Sequence, residues 1–215
     1  MAIKNPKDIA VLGLGVGQIS CYKQPDRNFI YYEIDPHVVD VAKEQFSILK
    51  ECGYKDIFIG DARLELVKDK NKYDMVVVDT FSSDAIPAHL VTSEAIALYK
   101  SKLTKDGVIL MNISNRHLDL TEPIAATAHH NDITFRTKYH SPQEDDGYHF
   151  ASEWIVLTNH QKTIEELDKK KWKSIKTDMK PWTDDYSNLM STLRILHPKK
   201  LKKKIEDHRK ENNIE

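Results

Sequence analysis

Two cysteines, seven glycines and no apolar run near twenty residues limit what this chain of 215 residues can be. A helix that crosses a bilayer needs about 20 mostly apolar residues, so no segment reads as a membrane span. The N-terminus lacks the charged-then-apolar layout of a secretory signal. Cys21 and Cys52 form neither a CxxC pair nor a multi-bridge framework, so both are expected to be free structural thiols in a reducing cytoplasm. Charge of one sign is missing too: 32 Lys and Arg face 33 Asp and Glu, a net charge of -1. That balance gives no electrostatic reason to expect nucleic acid or an anionic membrane as partner. Among ten histidines there is no HExxH or comparable ligand spacing, and the neighbours His129 and His130 point different ways on a helix, so no metal is expected. Repeats and low-complexity linkers are absent. The first strand begins only a few residues after Met1, which reads as one segment of a longer protein.

What is present is an alternation of strands and helices. A hydrophobic content of 40% over this length suffices for one sizeable core. Residues 1–197 are read as a single nucleoside-binding α/β domain and 198–215 as a basic C-terminal helix or tail. Buried strands are predicted over Ile9 to Leu14, Asn28 to Ile34, Lys55 to Ile59, Tyr73 to Val78 and Val108 to Ile113, with two late ones near Ile133 to Tyr139 and Glu153 to Thr158. The nearly continuous apolar run at Tyr73 to Val78 suits a parallel sheet covered on both faces. One helix is predicted from the Asp35-Pro36 cap to Gly53, with Val38, Val39, Ala42, Phe46 and Leu49 on its inner face. Further helices are predicted over Ala62 to Lys70, Leu90 to Leu103 and Thr121 to His129. The lysine-rich stretches Lys169 to Lys176 and Lys199 to Lys204 read as solvated helix faces. Together these elements predict a doubly wound, mostly parallel, seven-stranded Rossmann-like sheet.

Polar signals recur where the first four strands end. In open α/β sheets, ligands sit beyond the carboxyl ends of the strands, so these signals mark the binding edge. Gly13, Gly15 and Gly17 let the backbone approach a ligand and lead toward a helix whose amides can meet polar groups. The run Gly15-x-Gly17-x-x-Ser20 is a near miss to the dinucleotide fingerprint, which keeps an NAD enzyme as a remote alternative. Glu33, twenty positions after Gly13, is placed to accept from vicinal ribose hydroxyls. Asp61 is placed to accept from an adenine amine, and it also reads as a helix cap. Gln18, Ile34 and Ala62 adjoin these positions and are counted with them as nucleoside-binding residues. The fourth strand ends in Asp79, followed by a loop with Asp84. A carboxylate closing an apolar central strand needs a partner to offset its desolvation. Such a pair of acids suits a cationic substrate, or takes a proton from an attacking amine. Near the C-terminus, Trp182-Thr183-Asp184-Asp185-Tyr186 reads either as an amine pocket, with Asp185 and Tyr186 binding substrate, or as a cap with its aromatics packed on the sheet.

The succession VLGLGVG, YYEIDP, IGDARLEL, YDMVVVDTFSSDAIP, KDGVILMNISN and PWTDDYSNL resembles the spermidine synthase-like proteins of the class I S-adenosylmethionine-dependent methyltransferase fold. The likeness runs from Ile9 to about Arg194. It implies that Glu33 binds ribose, that Asp61 reaches adenine and that Asp79 assists deprotonation of an acceptor amine. The implied reaction is attack of a polyamine nitrogen on the aminopropyl carbon of decarboxylated S-adenosylmethionine, with methylthioadenosine leaving. Val16 stands where these enzymes carry an aspartate that engages the donor's amine. In the resembled enzymes a β-rich N-terminal segment covers the active site and supports dimerisation. It has no counterpart before Ile9, so a homodimer stands only as a secondary expectation, and some relatives carry the domain after membrane-spanning segments. A polyamine aminopropyltransferase acting in the cytoplasm without metal is therefore the leading expectation. A methyltransferase using S-adenosylmethionine and yielding S-adenosylhomocysteine is the alternative, followed by a non-catalytic nucleoside-binding module.

Overall fold

The computed structural model describes residues 5–80, 87–141, 151–196, 203 and 205–207. Their organisation follows from burial. Strands β1 (Asp8–Leu12), β2 (Asn28–Glu33) and β4 (Tyr73–Val78) are almost wholly buried, because layers of helix cover both faces of the sheet. β3 (Asp56–Ile59) forms one edge and stays largely exposed. Beyond β4 lie β5 (Leu103–Asn112), β7 (Ser152–Leu157) and β6 (Phe135–His140), giving the order β3-β2-β1-β4-β5-β7-β6. All pairings from β3 through β5 are parallel, whereas β7 runs antiparallel to both of its neighbours. The predicted seven-stranded, mostly parallel sheet is therefore the observed one.

Alternation along each strand divides the core. Ala10 and Leu12 of β1 face one apolar cluster, together with Val76, Val78, Ile96, Ile124 and Trp182. Ile9 and Val11 face the other, with Val39, Ala42, Leu49, Val77 and Leu167. Helices α3 (Ala62–Lys68), α4 (Ser93–Lys102) and α5 (Thr121–His130) supply the first layer. Helices α1 (Pro36–Glu44), α2 (Ile48–Cys52) and α6 (Gln161–Lys169) supply the second.

Several boundaries differ from expectation for identifiable reasons. The helix predicted to run from Pro36 to Gly53 breaks between α1 and α2, leaving Phe46 43% exposed. Past the break, Leu49 seats against Gly17, where any added Cβ would collide with it. α4 begins at Ser93 rather than Leu90, because the Thr92 hydroxyl caps it by accepting from the Ala95 amide at 3.3 Å. β5 starts at Leu103 instead of Val108, since residues 103–107 continue the sheet past a register shift opposite Tyr73 and Met75. Lys169 closes α6, but the lysine-rich stretch after it is not helical. Lys171 adopts a left-handed backbone (φ 60°) and Lys173 exchanges backbone hydrogen bonds with Thr137. Of the second lysine stretch, only Lys203 falls within the described residues.

The expectation of free thiols is overturned. Cys21 and Cys52 are joined as a disulfide with their Cα atoms 4.8 Å apart. The 3₁₀ turn Gln18–Tyr22 and the end of α2 lie side by side on one face of the sheet, a proximity that linear spacing does not reveal. The bridge closes a sequence separation of 31 residues. In the chain-entropy treatment, a loop of that size contributes about 3–4 kcal/mol through the unfolded state. Urea unfolding with and without reductant is expected to show a lower midpoint after reduction; coincident curves would show that the bridge adds no stability.

Candidate nucleoside site

The strand order reverses between β1 and β4, and the loops leaving these strands part to opposite faces, the position where such sheets bind ligands. Gly13 follows β1 with φ 93°, and a Cβ on it would overlap the Asp79 carbonyl oxygen at the end of β4. Only glycine lets the two strand ends approach so closely. At the crest of the loop, Gly15 has φ 53° and no atom within 4 Å of where a Cβ would stand, so bare backbone faces open space. Gly17 then leads into the 3₁₀ turn that begins at exposed Gln18. This five-residue turn replaces the helix expected after the glycines, and with it the helix N-terminus that a dinucleotide pyrophosphate requires.

Glu33 ends β2 only 9% exposed, its carboxylate fixed from both sides. Oε2 accepts from the Leu14 amide at 2.9 Å and Oε1 from the Asp35 amide at 3.0 Å. A carboxylate has about four acceptor positions, so these two bonds orient Glu33 while leaving capacity for two ribose hydroxyls. Ile34 beside it is 68% exposed, an apolar surface against which a base can lie. At the end of β3, Asp61 caps α3, and Oδ1 accepts from Arg63 and Leu64 amides at 2.9 and 3.1 Å. Its Oδ2 lies 3.2 Å from His89 Nε2. The cap therefore uses one oxygen, and the other pairs with His89. Ala62 is buried behind it.

Asp79 has the partner its position demands. Asn112, the last residue of β5, donates from Nδ2 to Asp79 Oδ1 at 3.0 Å. Asn112 is held in turn, because its Oδ1 accepts from the Ser114 amide and hydroxyl at 3.0 and 2.6 Å. Sequence reasoning assigned no role to Asn112; an amide side chain closing an apolar strand was the available signal. Beside Asp79, the buried Thr80 hydroxyl has no hydrogen-bond partner among the described residues. An orphaned buried hydroxyl and an open glycine crest fit a polar ligand seated at this edge. Asp84 lies outside the described residues.

The aromatic and acidic segment near the C-terminus resolves differently from either expectation. Trp182 is buried, as the packing alternative held, while Tyr186 is 44% exposed. Thr183 and Tyr186 close a tight turn by exchanging backbone hydrogen bonds, and Asp185 projects on its exposed surface. Asp184 is the anchor. Arg63 grips it with both terminal nitrogens at 2.7 and 2.9 Å, the Thr92 hydroxyl donates to it at 2.7 Å, and its amide donates to Glu94 at 3.0 Å. The turn is thus fastened beside Asp61. Both Asp185 and Tyr186 lie on the exposed side of this turn. Arg63, His89 and Thr92, all absent from the sequence-based site, organise this junction.

The Arg63 guanidinium holds the Asp184 carboxyl down at about 2, with Thr92 and His89 adding to the effect against the opposing pull of desolvation. A depressed folded-state value stabilises the fold above the ordinary carboxylate range and is lost as pH falls through about 2. Between about pH 4 and pH 2, Asp184→Asn is therefore expected to flatten the acid limb of the stability profile. Acid titration followed by circular dichroism checks this; parallel limbs in both proteins would show that the pair contributes nothing there.

A parallel sheet with one antiparallel strand near its far edge, carrying a glycine loop and acids at successive strand ends, defines a class I S-adenosylmethionine-dependent methyltransferase fold. The family model for the spermine/spermidine synthase domain matches residues 1–142, and the chain belongs to that family. A polyamine aminopropyltransferase of Vibrio vulnificus is 24% identical over 202 residues, covering 88% of this chain and 63% of the relative. The spermidine synthase structure from Thermotoga maritima superposes with a TM-score of 0.59 at 19% identity, covering 86% of this chain and 64% of that one. The O-methyltransferase TomG from Streptomyces achromogenes, solved in complex with SAM, shares the fold with a TM-score of 0.51 at 13% identity, covering 73% and 74%. The chain thus spans just under two thirds of the length of its first two relatives. Among the described residues no helix is long and apolar enough to cross a membrane, and no cluster of potential metal ligands occurs.

Proposed function

We propose that this protein is a transferase of the aminopropyl class, moving an aminopropyl group from decarboxylated S-adenosylmethionine to a polyamine amine. The observation that carries this reading is the placement of Glu33, Asp61 and Asp79 at three strand ends around one glycine loop, each held by an identified donor. Gly13, Gly15, Gly17 and Gln18 line the loop side, Glu33 accepts from the ribose and Ile34 supports the base. Asp61 and Ala62 meet the adenine edge. A sulfonium donor supplies an electrophilic carbon and a neutral thioether leaving group, so no general acid is required. Asp79, oriented by Asn112, accepts a proton from the attacking nitrogen as the new C–N bond forms and the C–S bond breaks, the pair remaining on sulfur. One positioned base contributes roughly 10²–10⁴-fold, and alignment supplies the remainder.

The acceptor contacts of Asp84, Asp185 and Tyr186, a cytoplasmic location, a homodimer, the domain limit at 197 and the basic 198–215 tail belong to the same proposal. The near-balanced charge gives no electrostatic reason to expect nucleic acid as a partner. One observation favours a second reading: Val16 occupies the glycine-loop position where an aspartate engages the amine of the donor in the resembled enzymes. S-adenosylmethionine keeps a carboxylate beside that amine, which an aspartate there would repel and Val16 does not.

Calorimetry with methylthioadenosine, S-adenosylhomocysteine and NAD separates these readings. Methylthioadenosine is expected to bind, and Glu33→Gln or Asp61→Asn each to weaken it about tenfold, the net value of a hydrogen bond to a charged group. Tight binding of S-adenosylhomocysteine alone would replace aminopropyl with methyl transfer. With decarboxylated donor and putrescine, methylthioadenosine is expected to form at least 100-fold faster, roughly, than in Asp79→Asn. Equal rates would leave only a binding module. Sedimentation near twice the chain mass of 24.9 kDa is expected for the homodimer, and a value at the chain mass would remove it.

A further inference from the structure

We propose that the Cys21–Cys52 disulfide is a thiol–disulfide exchange site whose reduction by a dithiol loosens the glycine loop and weakens nucleoside binding. The affinity arm rests on the nucleoside reading given above; the loop arm stands on the geometry alone. Cys21 lies in the 3₁₀ turn Gln18–Tyr22, which begins immediately after Gly17. Cys52 is the last residue of α2, whose Leu49 is 3% exposed and fills the space beside Gly17. The bridge therefore fastens the exit of the loop to the helix against which the loop packs.

Two features suit the bridge to exchange rather than to purely structural service. Cys21 is exposed and Cys52 half-buried, so an incoming thiolate has access to the Cys21 sulfur. Lys23 places its ammonium against Gly53, the residue after Cys52, with Nζ 3.2 Å from where a Gly53 Cβ would stand. A nearby cation stabilises a departing thiolate. The dithiol attacks Cys21 Sγ, the Cys21–Cys52 bond breaks and Cys52 leaves as a thiolate that takes up a proton. The second thiol of the reductant then displaces Cys21, which leaves as a thiol. Two electrons and two protons reach the protein, and the reductant departs as its cyclic disulfide. In a reducing compartment, disulfides of this kind act as redox sensors more often than as permanent staples.

The size of the effect is bounded by what remains after reduction. Gly17 N–H still donates to the Leu14 carbonyl at 2.9 Å, Leu14 N–H still donates to Glu33, and the Tyr31 hydroxyl still bonds Ser20 Oγ at 2.6 Å and the Gly17 carbonyl at 3.2 Å. The loop therefore loosens without collapsing. A loss of about fivefold in affinity is expected, comparable with one net hydrogen bond.

Two measurements on the full chain test this. In the ligand-free protein, dithiothreitol is expected to speed hydrogen exchange at the Leu14 and Gly17 amides about fivefold while β4 amides stay protected. The double variant Cys21→Ser/Cys52→Ser is expected to exchange at the reduced rate with or without dithiothreitol. Calorimetry with methylthioadenosine is expected to show about fivefold weaker binding to the reduced protein and to the variant. Unchanged exchange at Leu14 and Gly17 on reduction, with circular dichroism showing both forms folded, would overturn the proposal. So would equal methylthioadenosine affinity in the two states. Should exchange respond while the oxidised protein binds no methylthioadenosine, redox control of the loop is supported and the nucleoside reading fails instead.

Discussion

Gly13 can carry no side chain, because β1 and β4 leave the sheet so close together that a Cβ there would occupy the Asp79 carbonyl oxygen. That contact ties the site together. Gly13 N–H donates to the Tyr32 carbonyl at 2.8 Å, and Asp79 N–H donates to the Leu12 carbonyl at 2.9 Å, so the ends of β2, β1 and β4 form one hydrogen-bonded edge. One residue further on, Leu14 N–H holds Glu33. The backbones of the glycine loop, of Glu33 and of Asp79 are thus positioned by adjacent links, which is how an edge is preorganised at little entropic cost.

Each acid along this edge faces a desolvation penalty that a specific donor offsets. Glu33 uses two backbone amides, Asp61 uses the first turn of α3 and His89, and Asp79 uses Asn112. Glu33 and Asp79 keep acceptor capacity beyond these bonds, whereas Asp61 is engaged through both oxygens. Asp184 is engaged to the same extent as Asp61. Its two oxygens receive two guanidinium bonds and a hydroxyl, which fasten the 183–186 turn beside the start of α3.

Features that depend on strand burial were readable from sequence. Tyr73–Val78 was placed to the residue because a strand covered on both faces is continuously apolar. Glu33, Asp61 and the glycines stood out because the carboxyl ends of parallel strands are where polar residues interrupt such runs. Features that depend on pairs distant in sequence were hidden. Arg63 meets Asp184 across 121 positions, Asp79 meets Asn112 across 33, and Cys21 meets Cys52 across 31. The break between α1 and α2 was hidden for the same reason. Periodicity from Pro36 onward is helical throughout, and only the packing of Leu49 on Gly17 and the bridge at Cys52 show why the second helix is separate.

In the proposed function the binding edge has an adenosine half, built on Gly13 to Gly17, Glu33 and Asp61, and a reacting half built on Asp79 and Asn112. A crystal structure of the protein with methylthioadenosine tests that division most directly. The predicted result has ribose hydroxyls on Glu33, the adenine amine on Asp61 and the thioether sulfur toward Asp79. A nucleoside bound elsewhere, or bound here with its sulfur turned away from Asp79, would contradict the account.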